Sequence, residues 1–438
     1  MTMGEAGSSG AEPGPSKKRK SNDDPSDAPA KVVKTHPFFM KPEEKRALDA
    51  SSNSAFQWLK SLGTQGSCLH GINLQPAATS KVAALDLDGT LIKQEFGKSN
   101  FAWWNSRVPQ KLRDLHGSGH SIIIISNQGI KPAALKTWKE KISSIAKSLE
   151  DVPFRLLAAT QKDQYRKPMP GMWYEVERIF SEEGVAIDKA SSFFVGDAAG
   201  RRYAKGKEDF SCSDRKWADN VQLKFYTPEE FFLELPPHPN YTMPGFRPSS
   251  LPTLPHVMPT ASPTLPEDLQ QEVVIFVGYP SLGKSTFFKQ YFEPAGYIHI
   301  NQDTLKTREK CVKVMKEALA DGKSCVIDNT NRNVATRKLY LDACKAAKVP
   351  SRCFLFEGSM DLAWHNNLYR AFNMPPSSIK PGAERSLLPY VAFTGFRDNY
   401  EEPDLEEGFK EIKKVNWVFQ GTEEETKRWS MWLQISGK

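Results

Sequence analysis

Five apolar residues, Val273 to Val277, lead directly into Gly278-Tyr279-Pro280-Ser281-Leu282-Gly283-Lys284-Ser285-Thr286. An apolar run of that length ending in glycine reads as a buried strand. The loop behind it wraps anionic oxygens in backbone N–H groups, and the helix that follows points its positive end at them. Such a strand-loop-helix unit belongs in a parallel sheet covered by helices, which narrows the fold at once. Much earlier, the strand-like run Val82 to Leu85 ends in Asp86-Leu87-Asp88-Gly89-Thr90. Residues two apart on a strand face the same way, so Asp86 and Asp88 project together toward the ligand edge, and Gly89 permits the sharp departure.

The rest of the chain repeats this grammar. Ser121 to Ile125 precede Ser126-Asn127, and Ser192 to Val195 precede Gly196-Asp197, with helical patterns at Leu135 to Leu149 and Trp173 to Glu182 between them. A second alternation has strands at Val273 to Val277, Tyr297 to Ile300, Ser324 to Ile327, Arg352 to Phe356 and near Asn416 to Phe419, with helices over Lys306 to Ala320 and Val334 to Ala347. The expected fold class is α/β, with two doubly wound parallel-sheet domains, and a chain of 438 residues is long enough for both cores. Residues 1–35, poor in large apolar side chains, read as a disordered tail. The first domain spans 36–235. Ten prolines between 236 and 268 mark a linker, or an extended strap across a domain surface, and the second domain spans 269–438.

Six cysteines without paired spacing indicate neither a zinc site nor a disulfide framework, and no apolar stretch is long enough to span a bilayer. A soluble intracellular protein is expected. The net charge of +7 falls mostly on the body, because the tail holds six basic against five acidic residues. Such a surplus is compatible with a nucleic-acid partner. Within the tail, Lys17-Lys18-Arg19-Lys20 suits an import receptor and hence a nuclear location, and reads otherwise as a solvated charge run or a nonspecific DNA tether.

The two motifs imply opposite chemistries. At the first, Asp86 is placed to attack phosphorus, while Asp88 protonates the leaving alkoxide and then deprotonates the hydrolytic water. An anionic nucleophile attacking an anionic phosphate needs positive charge. A divalent ion such as Mg²⁺ on Asp86, the Asp88 carbonyl and Asp197 supplies it, together with Lys167, while Ser126 holds a phosphate oxygen. At the second, backbone N–H groups of the loop, with Gly278, Ser281, Gly283 and Thr286 shaping it, cradle the phosphates of ATP. Lys284 bridges its β and γ phosphates and Ser285 ligates Mg²⁺. Asp303 is a candidate base for an acceptor hydroxyl, or a helix N-cap; Asp328 could hold the metal through water or orient the acceptor. Arg370 and Arg397 lie where a lid could carry guanidinium groups onto the transferring phosphate, with a surface salt bridge as the other reading of each.

Asp86 to Thr90 resembles the nucleophile motif of haloacid-dehalogenase-type phosphatases. The order phosphatase, proline-rich segment, phosphate-loop kinase resembles eukaryotic polynucleotide kinase 3′-phosphatases, the DNA end-healing enzymes. Further matching stretches are Tyr165-Arg166-Lys167-Pro168, Gly171-Met172-Trp173, Phe194 to Arg201, Asp209-Phe210-Ser211-Cys212 with Asp214-Arg215, and Thr227 to Phe232. In the second half they are Asp303-Thr304-Leu305, Ile327 to Asn331 and His365-Asn366-Asn367. The resemblance implies removal of 3′-phosphates and ATP-dependent phosphorylation of 5′-hydroxyls at DNA ends, Asp86 as phosphatase nucleophile, Asp88 as its acid/base, Asp197 as metal ligand, and Asp303 as kinase base. An RNA-end healing enzyme would use identical chemistry, and a non-catalytic scaffold is disfavoured by the intact Asp86, Asp88, Lys284 and Ser285.

Two departures from the resemblance stand out. Fewer than about 50 residues precede the phosphatase region, so phosphopeptide recruitment through a forkhead-associated domain is not expected. Leu368 follows His365-Asn366-Asn367 where a second basic residue is expected, so a lid or acceptor contact is weaker or supplied elsewhere. Phe101 and Trp103-Trp104 could stack on bases but suit core packing better; Lys205 and Lys207 are candidates for backbone phosphates, or an ordinary basic loop. A monomer acting on DNA ends, without a membrane, completes the expectation.

Overall fold

The computed structural model describes residues 55–94, 100–206, 208–268, 270–379 and 386–435, so the basic cluster at Lys17 to Lys20 and Lys207 lie outside the described residues. Two sheets organise these residues. The first contains β1 (Phe56–Trp58), β2 (Cys68–Asn73), β3 (Lys81–Leu85), β4 (His120–Asn127), β5 (Phe154–Ala159), β6 (Phe193–Val195) and β7 (Lys224–Tyr226), in spatial order β1-β2-β5-β4-β3-β6-β7. From β5 to β7 the strands are parallel. Alternate residues of the central strands serve opposite faces, as a two-residue period demands. Ala83, Leu85, Ile122 and Ile124 join the cluster that includes helices Val108–Gly117 and Leu135–Ser148, while Val82, Ala84, Ile123 and Ile125 join the one under Gly171–Glu182 and Ser213–Val221.

The expected parallel sheet is extended by an antiparallel ribbon: β2 pairs with β5 and β1 with β2. Its sequence gives no clean strand signal because polar residues inside it are buried through partners. Asn73 Nδ2 donates to Leu149 O at 3.0 Å and to Val152 O at 2.9 Å.

The second sheet holds β8 (Val257–Met258), β9 (Val273–Val277), β10 (Ile298–Ile300), β11 (Cys325–Asp328), β12 (Ser351–Phe356) and β13 (Glu411–Val415), in order β10-β11-β9-β12-β13-β8, all parallel except β8. Helices Arg308–Ala320 and Val334–Ala347 cover one face, and Met360–Leu368 and Glu423–Trp429 the other.

One of the expectations is corrected and two are made more definite. The late strand is Glu411–Val415, not the apolar Asn416 to Phe419. Its charge disguises it: Lys413 is fully buried because its ammonium donates to Ser262 O and Oγ at 2.7 and 2.6 Å. The helix expected from Lys306 to Ala320 forms as Arg308–Ala320, starting two residues later because Lys306 adopts a positive φ and Thr307 is the cap, and a separate short helix, Gln302–Leu305, precedes it. The proline-rich segment is a strap and not a free linker. Thr242 N donates to Gly200 O at 2.8 Å and Arg202 N to Asn240 O at 3.0 Å on the first domain, while Val257–Met258 forms the edge strand of the second sheet. Phe101, Trp103 and Trp104 are partly buried against the first core, which accounts for their packing. All six cysteines are buried thiols, and no described helix is long and apolar enough to cross a membrane.

Candidate functional sites

Asp86 leaves the carboxyl end of β3, and its N–H donates to Val195 O of the neighbouring β6, so the two parallel strands deliver Asp86 and Asp197 to one point. Gly89, at φ +84°, allows Asp197 to approach: a Cβ there would lie 2.3 Å from Asp197 Oδ2. Lys167 comes from the loop after β5. Its ammonium lies 2.6 Å from Asp86 Oδ1 and 2.7 Å from Asp214 Oδ1, and it donates to Ile125 O at 2.9 Å. Asp88 and Ser126 are joined through Gln128, whose Nε2 donates to Asp88 Oδ2 at 2.6 Å and to Ser126 Oγ at 2.9 Å.

Asp214, in the first turn of helix Ser213–Val221, belongs to this cluster, though nothing in its spacing assigned it a role. Asp86, Asp197 and Asp214 each place a carboxylate oxygen within 4.8 Å of the others. Both Asp214 oxygens are engaged, Oδ1 by Lys167 and Oδ2 by the N–H of Ala198 at 3.1 Å, so Asp86 and Asp197 are the carboxylates available to a cation. Burial raises the Asp86 carboxyl above its ordinary range against the opposing pull of Lys167; burial and the charges of Asp86 and Asp214 raise Asp197. Three crowded carboxylates against one ammonium leave excess buried negative charge, and this donor set fits a hard divalent cation such as Mg²⁺.

Several motif residues prove structural. Thr227 and Glu230 form a reciprocal cap at the start of helix Pro228–Phe232. Gly171 sits against Gln164, where a Cβ would lie 2.3 Å from its carbonyl oxygen. Arg201 is buried between Asp209, at 2.8 Å, and Glu229, at 2.5 Å, and shapes the loop beyond β6. That loop carries Phe210, which is 74% exposed, and the exposed Lys205.

At the second sheet, the phosphate loop follows β9. Gly278, Ser281 and Gly283 all take positive φ, so three of its residues turn the backbone inward. Lys284 folds over the loop and donates to Gly278 O at 3.0 Å and Tyr279 O at 2.6 Å; burial lowers its ammonium to about 8. Ser285 Oγ donates to Asp328 Oδ2 at 2.6 Å, at the end of the adjacent β11, and His299 Nε2 lies 2.9 Å from the same oxygen. Burial alone would raise the Asp328 carboxyl, but hydrogen bonds from His299 and Ser285 overcome it and hold the group below its ordinary value.

Arg370 reaches the loop, donating to Ser281 Oγ at 3.2 Å. Arg397 does not: its exposed guanidinium is taken by the adjacent Asp398 at 2.8 Å, although helix Tyr390–Arg397 lies over the loop through Phe396 and Tyr279, with ring centroids 4.2 Å apart. Asp303 is exposed on the short helix Gln302–Leu305. Asn301, not Asp303, is the N-cap, and Asn301 Nδ2 ties this turn to Asp328 O at 2.9 Å. The charge of Asp303 acts on Lys284, which places it within electrostatic reach of the loop.

The His365-Asn366-Asn367 motif braces the site from below. Asn366 donates to Ser281 O at 3.1 Å and accepts from Trp429 Nε1 at 2.8 Å, and Asn367 holds Leu388 through both its N–H and carbonyl. Leu368 is buried in the apolar cluster, where a basic side chain would not fit; Arg370, two residues on, is the basic side chain that reaches the loop. Thr286 lines a cavity of about 160 Å³ with His256, Phe287, Gln290, Trp417 and Gln420.

Residues 81–232 match the family described as polynucleotide kinase 3 phosphatase, and residues 273–385 match an AAA domain family. The chain is similar to a bifunctional polynucleotide phosphatase/kinase of Schizosaccharomyces pombe, with 37% identity over 81% of this chain and 84% of the relative. The chain belongs to the bifunctional polynucleotide phosphatase/kinase family. A putative member of this family from Acanthamoeba polyphaga mimivirus is 32% identical over 80% of the chain and 87% of its own length. The polynucleotide 3′-phosphatase ZDP of Arabidopsis thaliana is 34% identical over 38% of the chain and 25% of that relative. The chain is thus an enzyme carrying a phosphatase domain and a kinase domain.

Proposed function

We propose that the chain prepares DNA ends for sealing by hydrolysing 3′-phosphates at the first site and phosphorylating 5′-hydroxyls from ATP at the second. The observation that carries the phosphatase reading is the buried Lys167 ammonium 2.6 Å from Asp86 Oδ1. An Asp86 oxygen attacks the phosphorus of the terminal monoester, and the bond to the 3′ oxygen breaks as Asp88 gives that oxygen its proton. Water then attacks the aspartyl-phosphate, Asp88 takes the water's proton, and orthophosphate leaves with the Asp86 carboxylate restored. Lys167 and Ser126 offset charge on the phosphoryl oxygens. Mg²⁺ held by Asp86, Asp197 and the Asp88 carbonyl would supply Lewis-acid stabilisation.

In the kinase, the acceptor 5′ oxygen attacks the γ phosphorus of ATP, Asp303 accepts the hydroxyl proton, and ADP departs. Lys284 and Arg370 neutralise the phosphoryl oxygens, Ser285 would hold Mg²⁺, and the cavity beside Thr286 receives the nucleoside. Phe210 offers an unpaired base a stacking surface beside the phosphatase site. Purified protein with ATP and Mg²⁺ is incubated with DNA and RNA strands bearing 3′-phosphate and 5′-hydroxyl ends, and both termini are followed. Both ends of the DNA strand are converted; preference for RNA would transfer the reading to RNA-end healing, and intact termini would reject it. Import through Lys17 to Lys20 completes the proposal. Replacing all four with alanine removes nuclear enrichment of a fluorescent fusion, and unchanged localisation rejects that role.

A further inference from the structure

The loop that supplies Lys167 is held from the kinase side. Asn220, at 6% exposure on helix Ser213–Val221, spends its whole amide on three backbone groups. Its Nδ2 donates to Pro168 O and to Trp432 O, each at 2.8 Å, and its Oδ1 accepts from Trp432 N at 2.7 Å. Pro168 adjoins Lys167, and Trp432 belongs to the segment after the last helix of the second domain. Met169, the next residue of the loop, is fully buried in the apolar cluster of the second domain and not in either cluster of its own sheet.

Trp432 itself is fixed on the phosphatase. Its indole Nε1 donates to Asp219 Oδ2 at 2.9 Å, and Lys216 and Arg247 lie over its ring at 4.5 and 5.4 Å. Tyr174 donates to Met431 Sδ at 3.7 Å, and Arg428 lies over the Tyr174 ring at 4.4 Å. The other end of the segment is tied to the kinase site: Trp429 binds Asn366, which braces the Ser281 carbonyl of the phosphate loop.

We propose that Asn220 is a positioning residue for the phosphatase, and that the kinase domain's Trp432 backbone is the fixed point through which it holds the Lys167 loop. The ammonium must meet two carboxylates at once, and a displacement of its loop by a fraction of an ångström breaks that geometry without altering how the nucleic acid binds. The kinase domain is then a structural part of the phosphatase site, over and above its own activity. This inference rests on Lys167 acting in 3′-phosphate hydrolysis. A wild-type protein that releases no phosphate would defeat that underlying reading, whereas the variants below test the inference itself.

Asn220→Ala, Trp432→Ala and wild type are compared in the full chain for phosphatase kcat and KM, for kinase turnover in the same preparation, and for thermal unfolding. Asn220→Ala lowers phosphatase kcat by about tenfold or more, with KM within about twofold of wild type and kinase turnover unchanged. Trp432→Ala, which frees the segment that Asn220 grips, lowers phosphatase kcat more than kinase kcat. Kinase turnover reports the folded fraction, so parallel loss of both activities in Asn220→Ala would reduce the contact to general stability and overturn the proposal. Phosphatase kcat within about twofold of wild type in Asn220→Ala would also overturn it, and an unaffected phosphatase in Trp432→Ala would refute the cross-domain part.

Discussion

Replacing Lys167 with methionine keeps most of the side-chain volume but removes the one ammonium between Asp86 and Asp214. The lysine side chain is 1% exposed and those of its partners 9% and 2%, so water cannot replace the lost charge. Breaking a buried pair by deleting one partner costs about 3–5 kcal/mol, because a buried charge is left uncompensated. At about 2–4 °C per kcal/mol for a domain of this size, the phosphatase transition should fall by roughly 6–20 °C. Unfolding is measured with chelator present, so that no divalent ion substitutes for the ammonium. Burial already raises the Asp86 carboxyl against the pull of Lys167, so without the ammonium it rises further above its unfolded value; the penalty is absent when Asp86 is protonated and grows as pH rises from about 4 toward neutrality. Adding Asp214→Asn removes one of the stranded charges and should recover most of the stability while phosphate release stays about 10²–10³-fold down, because transition-state charge is still unopposed. A loss under about 1 kcal/mol for Lys167→Met, or no recovery in the double variant, would refute the reasoning.

The remaining predictions concern the separateness of the sites and their conditions. Asp86→Asn abolishes 3′ dephosphorylation and spares 5′ phosphorylation, and Lys284→Ala does the reverse; end-labelled strands read both, and a folded variant retaining its assigned activity contradicts that assignment. Dephosphorylation proceeds without ATP and stops in excess chelator, so phosphate release under chelation would reject the cation role given to Asp197. His365 is fully buried, and burial lowers its imidazole to about 4. A folded value below the unfolded one of about 6.5 means that its stability contribution is complete above pH 6.5 and is lost as pH falls toward 4, up to about 3 kcal/mol. Denaturant melts of wild type and His365→Asn across that range check this, the variant showing the shallower slope.

Strand periodicity and motif chemistry made the two parallel sheets and their ligand edges legible from the chain alone. A short, β-branched apolar run ending in glycine, such as Val273 to Val277, reads as a buried strand, and Asp86 and Asp88, Lys284 and Ser285 lie close in sequence, where their spacing is itself the geometry. What the tertiary structure decided lies in long-range partners. Asp214 enters the sequence reading only as part of a matching stretch without a role, and Gln128 not at all, until the fold brings them to Lys167 and to Asp88 and Ser126. Glu411–Val415 hides as a strand because a buried lysine is acceptable only with the strap's carbonyls around it. Arg397 resembles a lid arginine in sequence, yet its neighbour Asp398 holds it in solvent, while Arg370 reaches the loop. Asn220 and Trp432 stand 212 positions apart, so only the folded chain can show that one side chain joins the loop carrying Lys167 to the second domain's Trp432. Local patterns encode elements and short motifs through periodicity and backbone sterics; contacts between distant residues depend on how the elements pack, which no single stretch of sequence contains.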